Sequence, residues 1–273
     1  MPLDEEFIVA ARQHFNPYLP DSGTELVAPL LYWLARMLRP RTVVEYGSGY
    51  STLFILRALA DNIDDIQAEQ RNLRAKTQGT RLFERWSVST ESLIGDPWLG
   101  AGEVACGVDP AFYLQRYTPH LFSFEQLPGD HEYAKHMRGA VAAIGHESLF
   151  THICGQSFCK DALPSGALPI DWAWNDDDRY VDFFSEFWES LNPSGGLMIF
   201  HNPAGWIPNY ETIRSIVQQR APHGDLECLL LEEPHKLSQN GCAILRRTTH
   251  YQPRFALSRP QEVLQALQTL MPA

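Results

Sequence analysis

The spacing of apolar positions changes several times along the chain, and each change marks a predicted element. From residue 3 to residue 39 the spacing is helical. Thr24 is placed to cap a helix beginning at Glu25, with Leu26, Leu30, Trp33, Leu34 and Met37 as its apolar stripe. Arg36 and Arg39 fall in its last turn, and Pro40 ends it. Thr42-Val43-Val44-Glu45-Tyr46 is then a short β-branched run, Gly47-Ser48-Gly49-Tyr50 a turn, and Ser51 to Ala60 a helix. Strand, glycine turn and helix make the first unit of an open α/β sheet.

The next strand is delayed. Residues 61–119 are polar and heterogeneous, with a charge-mixed helical stretch from Asp64 to Arg74 and loops around Gly95-Asp96-Pro97 and Asp109-Pro110. A segment of that length outside the repeat is expected to be an insertion, serving as a lid or an oligomer arm. Strands then follow at Leu121 to Glu125, Leu149 to Cys154, Leu168 to Trp172 and Leu197 to His201. Helices are predicted over His131 to Ile144, Tyr180 to Leu191 and Asn209 to Arg220. Leu226 to Leu231 and Cys242 to Arg246 have no helix between them and read as an antiparallel hairpin. The expectation is a Rossmann-like, three-layer α/β domain over 1–273, its sheet mostly parallel with a terminal antiparallel hairpin. Residues 1–39 form a helical cap and 61–119 the insertion.

Composition narrows the function. Of 273 residues, 22 are Lys or Arg and 33 are Asp or Glu, a net charge of −11. Such a surface disfavours gripping nucleic acid by its backbone or docking on anionic lipid. No run reaches the roughly 18 apolar residues of a membrane helix. The five cysteines are scattered without a CxxC pair, and the start MPLDEEF is acidic rather than signal-like. A cytoplasmic protein without a disulfide framework is expected, with no nucleic-acid or membrane partner and with a homodimer left open.

The chemistry concentrates in Val43 to Thr52. Gly47 and Gly49 allow a sharp turn and close approach of a ligand, and the following helix offers N–H groups to an anion. A dinucleotide fingerprint would want a third glycine where Thr52 stands, and an acid about 20 residues on. Glu45 points a carboxylate toward the same turn, which suits a ligand bearing an ammonium or sulfonium group. A tight structural turn is the plain alternative.

This segment, VVEYGSGYST, resembles the first motif of class I S-adenosylmethionine-dependent methyltransferases. The resemblance covers about residues 40–60 and 121–247. It implies S-adenosylmethionine as cofactor and methyl transfer to a small-molecule oxygen or nitrogen. It places Glu45, Gly47, Gly49, Ser51 and Thr52 at the cofactor, with Glu125 on the ribose hydroxyls and Gln126 beside it. Gln156 and Ser157 would edge the adenine, and Asp171 and Trp172 would end the fourth strand near the sulfonium. Asn192-Pro193-Ser194-Gly195-Gly196 resembles the family's turn before the fifth strand.

A closer likeness is to the catechol-type, metal-dependent O-methyltransferases. In that subgroup an Asp ends strand four and an Asp-Asn pair ends strand five; Asp171 and Asn202 match, and His201 stands where the pair's Asp would be. A divalent cation on Asp171, His201 and Asn202 is therefore open but not favoured. The favoured reading makes His201 a general base with Asp171 orienting nearby groups. A solvated strand-end histidine is the plain alternative.

Trp174, Asn175 and Asp176, in a run of aromatics and carboxylates, would contact a cationic or amine-bearing acceptor. Alternatively, Asp177 and Asp178 cap the Tyr180 helix. Trp206 and Tyr210 could wall the acceptor, as could Tyr113, Tyr117 and His120. Two other functions remain: an NAD(P)-dependent oxidoreductase on the same sheet, and a non-catalytic binding or dimerisation module.

Overall fold

A computed structural model describes residues 3–19, 22–78, 112 and 116–251. The chain divides into two compact units, Met1–Asp64 with Thr118–Tyr251, and Asp65–Tyr117 with Gln252–Ala273. Of the second unit, residues 65–78, 112, 116 and 117 are described. The core of the expected lid, residues 79–111, lies outside the described residues, and Tyr113 with it.

The first unit holds a seven-stranded sheet. Its strands are β1 (Thr42–Tyr46), β2 (His120–Glu125), β3 (Phe150–Cys154), β4 (Trp172–Asn175), β5 (Leu197–His201), β6 (Leu226–Leu231) and β7 (Cys242–Arg247). Their spatial order is β3-β2-β1-β4-β5-β7-β6. The first five are mutually parallel, and β7 runs antiparallel to both β5 and β6. The terminal hairpin is as expected.

Alternation along the strands builds two cores. Val43, Trp172, Trp174 and Ile199 pack on one face, under α1 (Glu5–His14), α2 (Val27–Leu38), α3 (Tyr50–Gln78) and α4 (Glu132–Ala143). Val44, Ala173, Met198 and Phe200 pack on the other, with residues of α5 (Tyr180–Phe187) and α6 (Ile207–Arg220). Both faces are covered, so the central strands read as apolar runs rather than as alternating ones.

Three expectations shift. The helix after the glycine turn does not stop at Ala60; it continues to Gln78. No glycine or proline interrupts Tyr50 to Gln78, so nothing in the backbone chemistry ends it earlier. Secondly, α2 starts at Val27 with Leu26 as its N-cap residue, and it buries Val27, Ala28, Leu31, Tyr32 and Ala35. Leu26, Trp33 and Met37 of the expected stripe are exposed. Small Ala35 lets α2 approach α3, where Asn62 donates to the Ala35 carbonyl at 2.9 Å and Tyr32 donates to Asp61 at 2.7 Å.

Thirdly, the fourth strand is Trp172–Asn175 and not Leu168 to Trp172. The aromatic alternation of Trp172 and Trp174 fills the core beside β1, with Val43 opposite Trp172 and Tyr46 opposite Asn175. Asp171 therefore precedes the strand instead of ending it, and Asp176 is the acid that follows it.

Candidate functional site

Strand order reverses between β1 and β4, the point at which an open α/β sheet leaves a crevice beyond its strand ends. A cleft of about 760 Å³ opens there. Gly47, Ser48, Gly49 and Tyr50 line it after β1, Glu125 after β2, Asp176 to Asp178 after β4, and His201 and Asn202 at the end of β5. Its outer wall comes from the N-terminal segment (His14, Phe15, Leu19, Thr24), from α4 (Tyr133, His136) and from Gln239.

The turn after β1 requires its first glycine. Gly47 has φ +89°, and a Cβ there would lie 3.0 Å from the carbonyl oxygen of Asp176. Gly49 is different, because a Cβ would meet only the Tyr133 hydroxyl, at 3.4 Å. The fold does not demand glycine at 49, which leaves close approach of a ligand as its use.

Glu45 lies beneath the turn, not in the cleft wall. It is fully buried and accepts from Ser123 at 2.7 Å, Thr52 at 2.8 Å and Ser51 at 3.5 Å. Burial pushes its carboxyl up to about 8, against the pull of those three hydroxyls. Thr52 Oγ1 in turn accepts from the Gly49 N–H at 2.8 Å. Glu45, Ser51 and Thr52 thus shape the glycine turn from below.

Glu125 is the carboxylate the cleft exposes at the end of β2. Its Oε1 accepts from the Leu127 N–H at 3.1 Å, and its Oε2 from Ser48 at 3.3 Å. These bonds fix the carboxylate beside the turn. Glu125 is 80 residues downstream of Glu45 in sequence, yet Glu45 and Phe124 belong to neighbouring strands.

At the far side of the switch point, Asp176 Oδ1 lies 2.6 Å from His201 Nδ1. His201 is 3% exposed, and its Nε2 has no hydrogen-bond partner among the described residues. Asp176 is the acid that follows strand four. The expected acid, Asp171, is the right residue type at the wrong strand end, because the strand runs over Trp172–Asn175.

Asp171 stands at the other end of the sheet. Its Oδ2 accepts from the Arg41 and Thr42 N–H groups at 2.8 and 3.3 Å, and its Oδ1 from Asn192 at 2.9 Å. Trp172 begins the strand and is buried in the core. The trio Asp171, His201 and Asn202 is consequently not assembled. Asn202 Oδ1 accepts from the Asn240 N–H at 2.9 Å, and His201 Nδ1 is held by Asp176.

Glu25, Glu233 and His235 do bring ligand atoms within 4.8 Å of one another. Lys236 Nζ lies among them, however, 2.8 Å from Glu25 and 2.9 Å from Glu233. An ammonium thus balances those carboxylates and ties the β6–β7 loop to the segment before α2.

The other expected site residues divide. Trp174 and Asn175 are buried under the cleft floor, with Trp174 Nε1 donating to Ser51 at 3.3 Å and Asn175 Oδ1 accepting from the Asp177 N–H at 2.8 Å. Gln126 reaches the Tyr46 hydroxyl, Ser157 accepts from Arg179, and Gln156 is exposed; none lines the cleft. Trp206 and Tyr210 are exposed at 50% and 42%, also outside its wall. Tyr117 and His120 do not line it either. Asp177 accepts from the Arg179 N–H at 3.1 Å, a turn before α5 rather than a side-chain cap on it.

Ser48, Tyr133 and the N-terminal wall also line the cleft, beyond the residues expected there. Nothing in the local pattern of His14 to Thr24 marks a ligand; only the docking of that segment over the sheet brings it there.

The fold is similar to that of solved methyltransferases. Solved structures with this fold include the O-methyltransferase TomG of Streptomyces achromogenes, involved in tomaymycin synthesis and solved with SAM. It is 17% identical, with 90% of each chain covered and a TM-score of 0.56. An O-methyltransferase of Bacillus cereus solved with SAH is 13% identical, covering 91% of this chain and 93% of its own, at TM-score 0.53. The SAH-bound methyltransferase PaMTH1 of Podospora anserina is 12% identical, covering 90% and 89%, also at 0.53. No protein-family model matches the chain, and no curated protein matches it by sequence. No helix among the described residues is long and apolar enough to cross a membrane.

Proposed function

We propose that the protein transfers a methyl group from S-adenosylmethionine to an oxygen or nitrogen of a small-molecule acceptor. The observation that carries this reading is the joint placement of Glu125 and the Gly47–Gly49 turn in one cleft wall. A fixed carboxylate accepts two hydroxyls of a ribose, and Gly49 leaves room at the turn without being required by the fold. The donor set therefore fits the cofactor, which supplies a carbon already bonded to a good leaving group.

The protein's own part is alignment and proton removal. With Asp176 ionised, His201 carries its ring proton on Nδ1, directed at Oδ1 of that carboxylate. The Nε2 lone pair is then the one available to an acceptor hydroxyl or ammonium. Asp176 holds the tautomer and steadies the imidazolium that forms. No metal is needed for this proton path. The pair also favours an enzyme over a fold retained only for binding.

A nicotinamide dinucleotide would also meet an acid after β2. Against it stand Thr52 in place of a third glycine and the antiparallel β7 beside β5. Calorimetric titration with S-adenosylhomocysteine and, separately, NAD tests the reading. Binding of S-adenosylhomocysteine alone is expected; binding of NAD alone overturns it.

A further inference from the structure

Among the described residues that line the cleft there is no lysine or arginine. Four carboxylates do line it: Glu125, Asp176, Asp177 and Asp178. Two are engaged at one oxygen or both, Glu125 by Ser48 and the Leu127 N–H, and Asp176 by His201. Asp177 takes only backbone donors, including the Arg179 N–H, and Asp178 a long contact of 3.4 Å from Asn209. The guanidinium of Arg179, next to Asp178 in sequence, is turned away to Asp182 and Ser157, and that of Arg12 is held by the hydroxyls of Tyr18 and Tyr50 behind the lining. Facing these acids are His14 and His136 and the rings of Phe15, Tyr50 and Tyr133. His201 lines the same wall, and its Nε2 is buried without a hydrogen-bond partner among the described residues.

We infer that the acceptor is a small cationic amine, methylated on that nitrogen. The inference rests on the methyl-transfer reading above and names the substrate class of the same site. Carboxylates and aromatic faces together hold an ammonium by charge and by the ring quadrupole. A carboxylate or phosphate acceptor would meet four like charges, with no lysine or arginine among the described lining residues to offset them. An ammonium has no lone pair to give, so it must first lose a proton, and Nε2 of His201 accepts it. The freed nitrogen pair then forms the N–C bond as the C–S bond of the sulfonium donor breaks. The electron pair of that bond stays on sulfur, the positive charge passes to the methylated nitrogen, and S-adenosylhomocysteine leaves. Asp177 and Asp178 hold the ammonium before transfer.

The test uses the full chain saturated with S-adenosylhomocysteine. Three probes share one skeleton and differ in charge: 2-phenylethylamine, 2-phenylethanol and phenylacetate. Calorimetry should find the amine bound at least about tenfold more tightly than either other probe. The double variant Asp177→Asn, Asp178→Asn should lose that preference while still binding S-adenosylhomocysteine. Absence of amine binding, a preference for phenylacetate, equal binding of all three, or a preference surviving in the double variant overturns the inference. If S-adenosylhomocysteine itself does not bind, the cofactor reading is what fails. A folded double variant is verified by an unchanged thermal midpoint; should it unfold, the single variants answer the same question.

Discussion

Asp176 and His201 leave the ends of two adjacent parallel strands and meet at 2.6 Å, carboxylate to Nδ1. The strand register sets this pairing: Asn175 lies opposite Phe200, so the residues that follow each emerge side by side at the cleft. The ring is clamped on one nitrogen and buried without a partner on the other. A histidine that served only to fill the strand end would have no use for that asymmetry.

Replacing His201 by Ala should lower turnover by about 10²–10⁴-fold, with S-adenosylhomocysteine affinity nearly intact. Asp176→Asn should lower kcat with little change in KM, since it acts through the ring. A chelator should leave activity unchanged. Steady-state assays with and without chelator check these three outcomes; full turnover in His201→Ala would remove it from the mechanism.

Gly49→Ala and Glu125→Ala should each weaken S-adenosylhomocysteine binding while the thermal midpoint stays put. A Cβ at Gly49 meets nothing closer than 3.4 Å, so any loss there reports the ligand and not the fold. Losing a charged hydrogen-bond partner of the ribose costs about 1.5–3 kcal/mol, or roughly 10- to 150-fold in affinity. Calorimetry on the two variants decides this.

Glu45 makes stability depend on pH. Burial raises its folded-state value to about 8, well above an unfolded glutamate, so the folded protein holds a proton that the unfolded chain releases. The stability linked to that proton is complete below the unfolded value and is lost as pH rises through about 8. Glu45→Gln should flatten the fall in denaturant midpoint between about pH 5 and 8. A slope identical in wild type and variant would mean that the carboxyl is ionised throughout.

Asp171→Ala should destabilise the fold by about 1–3 kcal/mol without touching cofactor affinity, since it strands the Arg41 and Thr42 N–H groups and the Asn192 amide at the far end of the sheet. Chemical denaturation, paired with a titration of S-adenosylhomocysteine, separates the two effects. A loss of affinity without a loss of stability would return Asp171 to the site.

The amino-acid sequence by itself determined the layered α/β fold, the glycine turn after β1, the acid ending β2 and the terminal hairpin. Each is written in local chemistry: β-branched runs, glycines that permit a turn, and a hairpin with no helix between its strands. Gly47 and Glu125 could be named because their neighbours mark them. The terminal strand pair needed no long-range information to be recognised.

Tertiary structure decided the rest. An apolar run such as Leu168 to Trp174 carries no mark of where pairing begins, so only the register against Val43 to Tyr46 shows that Trp172–Asn175 is the strand. That shift exchanges Asp171 for Asp176 at the cleft. Likewise α2 is apolar on more than one side, and the close approach of Ala35 to Asn62 chooses which side is buried. The N-terminal wall of the cleft arises from packing between segments more than 100 residues apart, as where His136 of α4 bonds the His14 carbonyl. Such contacts follow from how the helices fill space over the sheet, and no spacing of residue types along the chain encodes them.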